Sequence, residues 1–198
     1  MSPDPAHNEV SEAADPGSLL IVDYPHPALR ARTHKVDPTA PGVRAVAERM
    51  LELMHEAEGI GLAAPQVGLS WRLFVIDVPH RENGREKASP ASDRAESTGG
   101  PVVFINPRLS DAEGAPEAME EGCLSLPEIA GELLRPPRIT VTATGLDGKE
   151  FTLKTKGLLA RCVQHEFDHL EGILIIDRFT RASELKNRQA VKSLERPR

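Results

Sequence analysis

The chain has 198 residues, 39% of them hydrophobic and 27% charged, which suits one soluble globular domain. Its formal charge of −6 excludes a general pull toward DNA or anionic lipid. No apolar run approaches the ~20 residues of a membrane helix, which excludes a helical membrane span. Aromatic residues are only 4%, so aliphatic side chains must build most of the core. Cys123 and Cys162 are too few for a disulfide scaffold. Residues 1–18 lack the cationic start and apolar stretch of an export signal. The expectation is a cytoplasmic protein.

In chain order, residues 1–18 are polar and contain prolines, predicting a disordered tail. A single folded unit then spans 19–180. Val43, Val46, Ala47, Met50, Leu53 and Met54 follow helical spacing, predicting an amphipathic helix over 41–57. Pro41 suits its first turn and Gly59 its end. Residues 72–78 read as a strand. Residues 79–100 contain no Val, Ile, Leu, Met or aromatic side chain, so they read as a surface loop inserted within the unit. Strands are predicted over 101–106, 138–144 and 150–154, the last two joined by a turn at 146–149. A second helix spans 155–170 and Gly172 ends it. A third, charged helix spans 181–194 in a basic C-terminal segment, 181–198. Strands and helices without regular βαβ alternation indicate an α+β fold.

The strongest chemical signal is QHEFDH at 164–169. Residues four apart share one helix face, so His165 and His169 can reach one metal ion. Glu166, beside the first of them, can take a proton from water without ligating the ion. The bland reading is a helix with two incidental histidines. The apolar positions Leu158, Leu159, Cys162 and Val163 supply the helical setting.

A catalytic ion needs about three protein ligands. Nothing suitable lies downstream of the motif, but EEGCLSLP at 120–127 stands upstream. Gly122 permits a close backbone approach and Pro127 restricts the segment's continuation. Cys123 is thereby displayed as a thiolate ligand for a soft or borderline ion, or it is a buried core cysteine. For Cys162, on the apolar helix face, the core reading is preferred. The segment GIGLAAPQVG at 59–68 is rich in small residues and lacks the Lys-Ser/Thr ending of a phosphate loop. Gln66 is its one polar side chain. Its amide either donates to an oxyanion or satisfies a buried backbone group.

Together these segments resemble the bacterial peptide deformylase family. That family carries Gly-x-Gly-Leu-Ala-Ala-x-Gln, Glu-Gly-Cys-Leu-Ser and Gln-His-Glu-x-Asp-His-Leu in this order, and all three occur here without substitution. The likeness runs over about 19–179 and includes FINP at 104–107; the tail lies outside it. It implies antiparallel sheets packed around a central metal-binding helix. It implies that Cys123, His165 and His169 hold one divalent metal ion and that Glu166 is the acid/base. It assigns oxyanion stabilisation to Gln66 and the Leu124 N–H, and flanking of the peptide to Ile60, Gly61 and Gly122. An apolar pocket for methionine is expected from Ile60, Leu158 and Cys162, the last two lying one or two turns before His165.

The implied reaction releases formate from the N-terminal formylmethionine of new polypeptides. One thiolate and two imidazoles suit zinc, iron, cobalt or nickel; the resemblance favours Fe2+ in the cell, with Zn2+, Ni2+ or Co2+ acceptable in a purified sample. The terminal segment carries Arg181, Lys186, Arg188, Lys192, Arg196 and Arg198 against Glu184 and Glu195. It is either a solvated helix or one that docks on the ribosome. Two rivals remain. A zinc peptidase would share the helix motif, but Cys123 and the 59–68 segment argue against it. A silent N-terminal methionine-binding protein would have lost Glu166, Gln66 or a ligand, and none is lost.

Overall fold

The computed structural model describes residues 14–79, 81–82, 85–86 and 95–196. Residues 1–13 of the expected tail lie outside the described residues. Residues 14–18 do not continue as tail. Asp15 caps a 3-10 turn, Pro16–Ser18, by accepting from the Gly17 N–H at 3.0 Å. Ala14 packs against the core next to buried Leu19.

Helix α1, Val43–Glu56, buries all six of its periodic apolar side chains. Its N-cap is Gly42 at φ +92°, so Pro41 precedes the cap instead of sitting in the first turn. At the other end the chain reverses through Glu58, whose φ is +54°. The Gly59 N–H then closes on the Met54 carbonyl at 2.8 Å.

The main sheet is antiparallel, in the order β1-β2-β5-β8-β9. These strands are β1 (Gly61–Ala63), β2 (Leu73–Ile76), β5 (Val102–Glu113), β8 (Arg138–Thr144) and β9 (Glu150–Lys156). Alternation explains the unbroken apolar run of β2. Leu73 and Val75 face α1, and Phe74 and Ile76 face α2 (Gly157–Leu170). Phe74 stacks on its register partner Phe104 with ring centroids 4.8 Å apart. Helix α2 therefore lies within an α+β fold, enclosed by antiparallel sheets. Its buried face includes Leu159, Cys162 and Val163, while Leu158, expected on that face, is 40% exposed.

Within 79–100, residues 80, 83–84 and 87–94 lie outside the described residues. A short hairpin joins β3 (Arg81–Glu82) to β4 (Arg85–Glu86). The far end of this insertion is anchored by polar contacts rather than apolar side chains. Thr98 N–H donates to the Val78 carbonyl, Val78 N–H to Thr98 Oγ1, and Lys156 N–H to the Ala95 carbonyl.

A second hairpin, β6 (Glu117–Gly122) and β7 (Ala130–Arg135), forms a separate sheet. Helix α3, Arg181–Leu194, lies along its β7 edge. Thr180 N–H donates to the Glu132 carbonyl, Glu132 N–H to Ser183 Oγ, and Asn187 Nδ2 to the Ala130 carbonyl at 2.9 Å. Val191 and Leu194 pack beneath it against a third core built on Leu29, Leu126, Leu133 and Ile175. Among the described residues, no helix is long and apolar enough to cross a membrane.

Candidate metal centre

His165 and His169 project from one face of α2, with ring centroids 5.1 Å apart. Cys123 stands just past the end of β6, where the Leu126 N–H closes a turn onto its carbonyl at 2.9 Å. Its Sγ comes 3.4 Å from His169 Nε2. One donor atom from each of Cys123, His165 and His169 lies within 4.8 Å of the other two. The sequence segments around 123 and 165–169 thus converge on one point.

The electrostatics of that point favour a cation. Burial works against a charged His165, yet its contacts with Cys123 and Glu121 raise its pKa well above the ordinary value. His169, buried and beside that charge, is pushed well below. A site that draws a proton in between a cysteine sulfur and a carboxylate is suited to a divalent ion in that proton's place.

Glu166, 3% exposed, is the adjoining carboxylate. Burial pushes its pKa up to about 7, although the neighbouring His165 charge opposes the shift. Its Oε2 is buried and has no hydrogen-bond partner among the described residues. Gly61 on β1 makes room for it. A Cβ there would overlap Glu166 Oε1 and stand 2.9 Å from Cys162 Sγ, so the small residue is a steric requirement.

Gln66 lies in a 3-10 turn, Ala64–Val67, and is 1% exposed. Of the two alternatives left open by the sequence, the structure shows the second, satisfaction of a buried backbone group. Its Oε1 accepts from the Ala63 N–H at 2.8 Å, which fixes the amide. Its Nε2 is thereby turned to the centre, 3.5 Å from Cys123 Sγ and 3.4 Å from Ser125 Oγ.

Behind the ligands is a buried ionic network that the sequence reading did not single out. Glu121 accepts from His165 Nδ1 at 3.0 Å and takes a two-point contact from Arg135 at 2.8 and 3.1 Å. These cations outweigh the effect of burial and hold its pKa down at about 2. Arg161 adds a third donor at 2.8 Å. Arg135 also reaches Asp168, which a two-point contact from Arg178 closes at 2.6 and 2.7 Å. The available signal was charge at inward positions: Arg161 stands four residues before His165, and Glu121 two before Cys123.

A cleft of about 760 Å³ opens onto the centre. Ile60, Gly61, Gly122, Leu124, Leu158 and Cys162 all line it, as do Gln66, Cys123, His165 and Glu166. Leu158 owes its exposure to this position on the wall. Cys162 is a core residue on the cleft wall, 6% exposed with its thiol 3.6 Å from the Ile60 carbonyl. Burial raises that thiol's pKa well above normal, so it remains a neutral part of the wall.

Two imidazoles one helical turn apart, a thiolate facing them and an enclosed carboxylate alongside define a metal-dependent hydrolase. The polypeptide deformylase family model matches residues 18–185. The chain is 43% identical to a peptide deformylase of Acidobacterium capsulatum over 160 residues, 81% of this chain and 85% of that one. It is 40% identical to one of Teredinibacter turnerae over 178 residues, 90% and 95% of the two chains. The crystal structure of the Ehrlichia chaffeensis peptide deformylase matches with a TM-score of 0.78 at 33% identity, covering 89% of this chain and 94% of that one. That of the Thermotoga maritima enzyme matches with 0.69 at 40%, covering 82% and 97%. The chain belongs to the peptide deformylase family, and deformylation of peptides is its activity.

Proposed function

We propose that the chain hydrolyses the formamide of N-terminal formylmethionine on newly made polypeptides, releasing formate and a free amine. The observation that carries this is Oε2 of Glu166, which has no hydrogen-bond partner among the described residues and is buried beside the cysteine-and-histidine donor set at the end of the cleft. Cys123, His165 and His169 are the ligands of one divalent ion. When bound, such an ion supplies Lewis-acid polarisation and lowers the pKa of water from 15.7 toward about 7. Ferrous iron is the ion we assign in the cell; the same donors accept zinc, nickel or cobalt.

Glu166 accepts the proton of the attacking water at its carboxylate and returns it to the departing nitrogen. A carboxylate with a pKa near neutrality suits both transfers, because neither protonation state is strongly favoured. Gln66 Nε2, pre-aimed by its bond to Ala63, and the Leu124 N–H hold the oxygen on which negative charge develops. No reorganisation is needed at that moment, since Gln66 is already buried and fixed. Ile60, Gly61 and Gly122 flank the peptide, while Ile60, Leu158 and Cys162 form the apolar wall for the methionine side chain. The setting we assign is the cytoplasm, with the ribosome as a partner through the basic face of α3.

The test is formate release from a short formyl-Met peptide under anaerobic conditions, with metal analysis of the same sample. Acetyl-Met and unblocked peptides serve as comparisons. Formate release confined to the formylated peptide is expected. Cleavage of internal peptide bonds would instead identify a peptidase, and a metal-loaded protein without turnover a binding protein.

A further inference from the structure

We propose that Arg161 is a positioning residue of the metal centre: one guanidinium holds Glu121 against His165 and the start of β6 against α2. The inference rests on the metal-site reading above. Arg161 lies one turn before His165 on the same face of α2 and is 6% exposed, yet it lines the cleft. An apolar side chain would fill that wall without taking a charge out of water. The cation is therefore explained by what its nitrogens touch. Nη1 donates to Glu121 Oε1 at 2.8 Å, and Nη2 donates to the backbone carbonyl of Glu117 at 2.7 Å.

The first contact completes the cage around Glu121. Oε1 accepts from Arg135 Nε and Arg161 Nη1; Oε2 accepts from Arg135 Nη2 and His165 Nδ1. A carboxylate with four donors cannot turn. The His165 Nδ1–H then has one fixed acceptor, which sets the tautomer and ring orientation and leaves Nε2 to face the ion. Removing Arg161 takes one of the two donors from Oε1 and leaves Arg135 alone to hold that oxygen, so the carboxylate is less firmly fixed against His165. The second contact acts on the cleft. Glu117 begins β6, and β6 carries Met119, Glu120 and Gly122 along the cleft wall up to Cys123. Tying its first carbonyl to α2 fixes the distance between the two walls.

Lysine separates these effects, because it keeps the charge beside Glu121 but lacks the planar fork whose second nitrogen reaches the Glu117 carbonyl. The experiment uses the metal-loaded full chain. It measures loss of metal to a chelator of known affinity, and separately KM for a short formyl-Met peptide. Arg161→Met should retain metal about tenfold less tightly, the lower end for loss of a group supporting a ligand, and should raise KM. Arg161→Lys should retain metal within about twofold of the parent while KM stays raised. In a Glu121→Gln background, Arg161→Met should add nothing further to metal loss, because its effect runs through Glu121. Parent-like metal retention in Arg161→Met, an additive loss in the double variant, or a lysine variant as leaky as methionine would each overturn the proposal. Should Arg161→Met fail to fold, Arg161→Lys decides: parent-like metal with raised KM supports the idea, and any other pairing overturns it. A parent enzyme that released no formate would overturn the deformylation reading instead and leave the chelator comparison intact.

Discussion

A carboxylate enclosed by apolar walls is reluctant to ionise, and Glu166 is held in that state one residue from a metal ligand. Glu166→Gln keeps the shape and volume but cannot accept a proton. The metal should be retained, with turnover falling by roughly 10²–10⁴. Near-normal turnover at full metal occupancy would remove Glu166 from the mechanism. The two cysteines are separated by a different test. Cys123→Ser replaces a soft thiolate with a weak neutral donor, so metal should be lost on dialysis. Cys162→Ser should keep its metal, since that thiol donates to the Ile60 carbonyl and is not one of the donors grouped at the metal centre. The reverse pattern would assign the wrong sulfur to the ion. These ligands were legible because each stands in a short local signature: two histidines four apart, and a cysteine after a glycine. The pairing of Glu121, Arg135, Asp168 and Arg178 was not, because their partners are 10 to 44 residues away and only the fold brings them together.

At the level of elements, the hairpin β6–β7 carries Cys123 but needs support along its outer edge. Helix α3 supplies it through side chains. Asn187, 7% exposed, donates to the Ala130 carbonyl on β7 and to the Ser183 carbonyl in its own helix. Asn187→Ala leaves a carbonyl at the sheet edge unsatisfied, at a cost of about 1–3 kcal/mol. The urea midpoint of the metal-loaded protein should fall accordingly with an unchanged slope, whereas an unchanged midpoint would show that water replaces the amide. The helices and the strands β8 and β9 were readable because their apolar residues keep one period each, and β2 because a short unbroken apolar run also reads as a buried strand. The hairpin was not. β6 reads EAMEEG, with a glutamate pointing inward where alternation predicts an apolar residue. That inward charge is stable only because Arg135 and Arg161 come to meet it, which no local pattern announces. The segment over 79–100 was read as a loop lacking apolar anchors, and among its described residues backbone bonds to Val78 and Lys156 tie down its end. Periodicity carries no information about such contacts.

On the scale of the whole molecule, a net charge of −6 coexists with a cationic terminal helix, so charge is segregated. Part of that helix is internally compensated: Arg181 pairs with Glu184 at 2.7 Å, and Arg188 approaches the same carboxylate at 4.0 Å. Lys186, Lys192 and Arg196 are exposed and form no ion pair among the described residues. If α3 docks on ribosomal RNA, these three carry the attraction, and the enzyme gains local substrate concentration without new contacts at the metal. Deleting the helix end would be a poor test. Asn187, Val191 and Leu194 face the hairpin and its core, so truncation would damage the fold as well as the charge. The cleaner variant replaces Lys186, Lys192 and Arg196 with glutamine together. Activity on a short formyl peptide should be unchanged, because none of the three lines the cleft. Co-sedimentation with ribosomes should weaken at low salt, and the remaining binding should depend less steeply on salt, since fewer counterions are released per contact. Ribosome binding that survives the triple substitution with the same salt dependence would sink the docking idea and leave α3 as the structural edge-cover of β7.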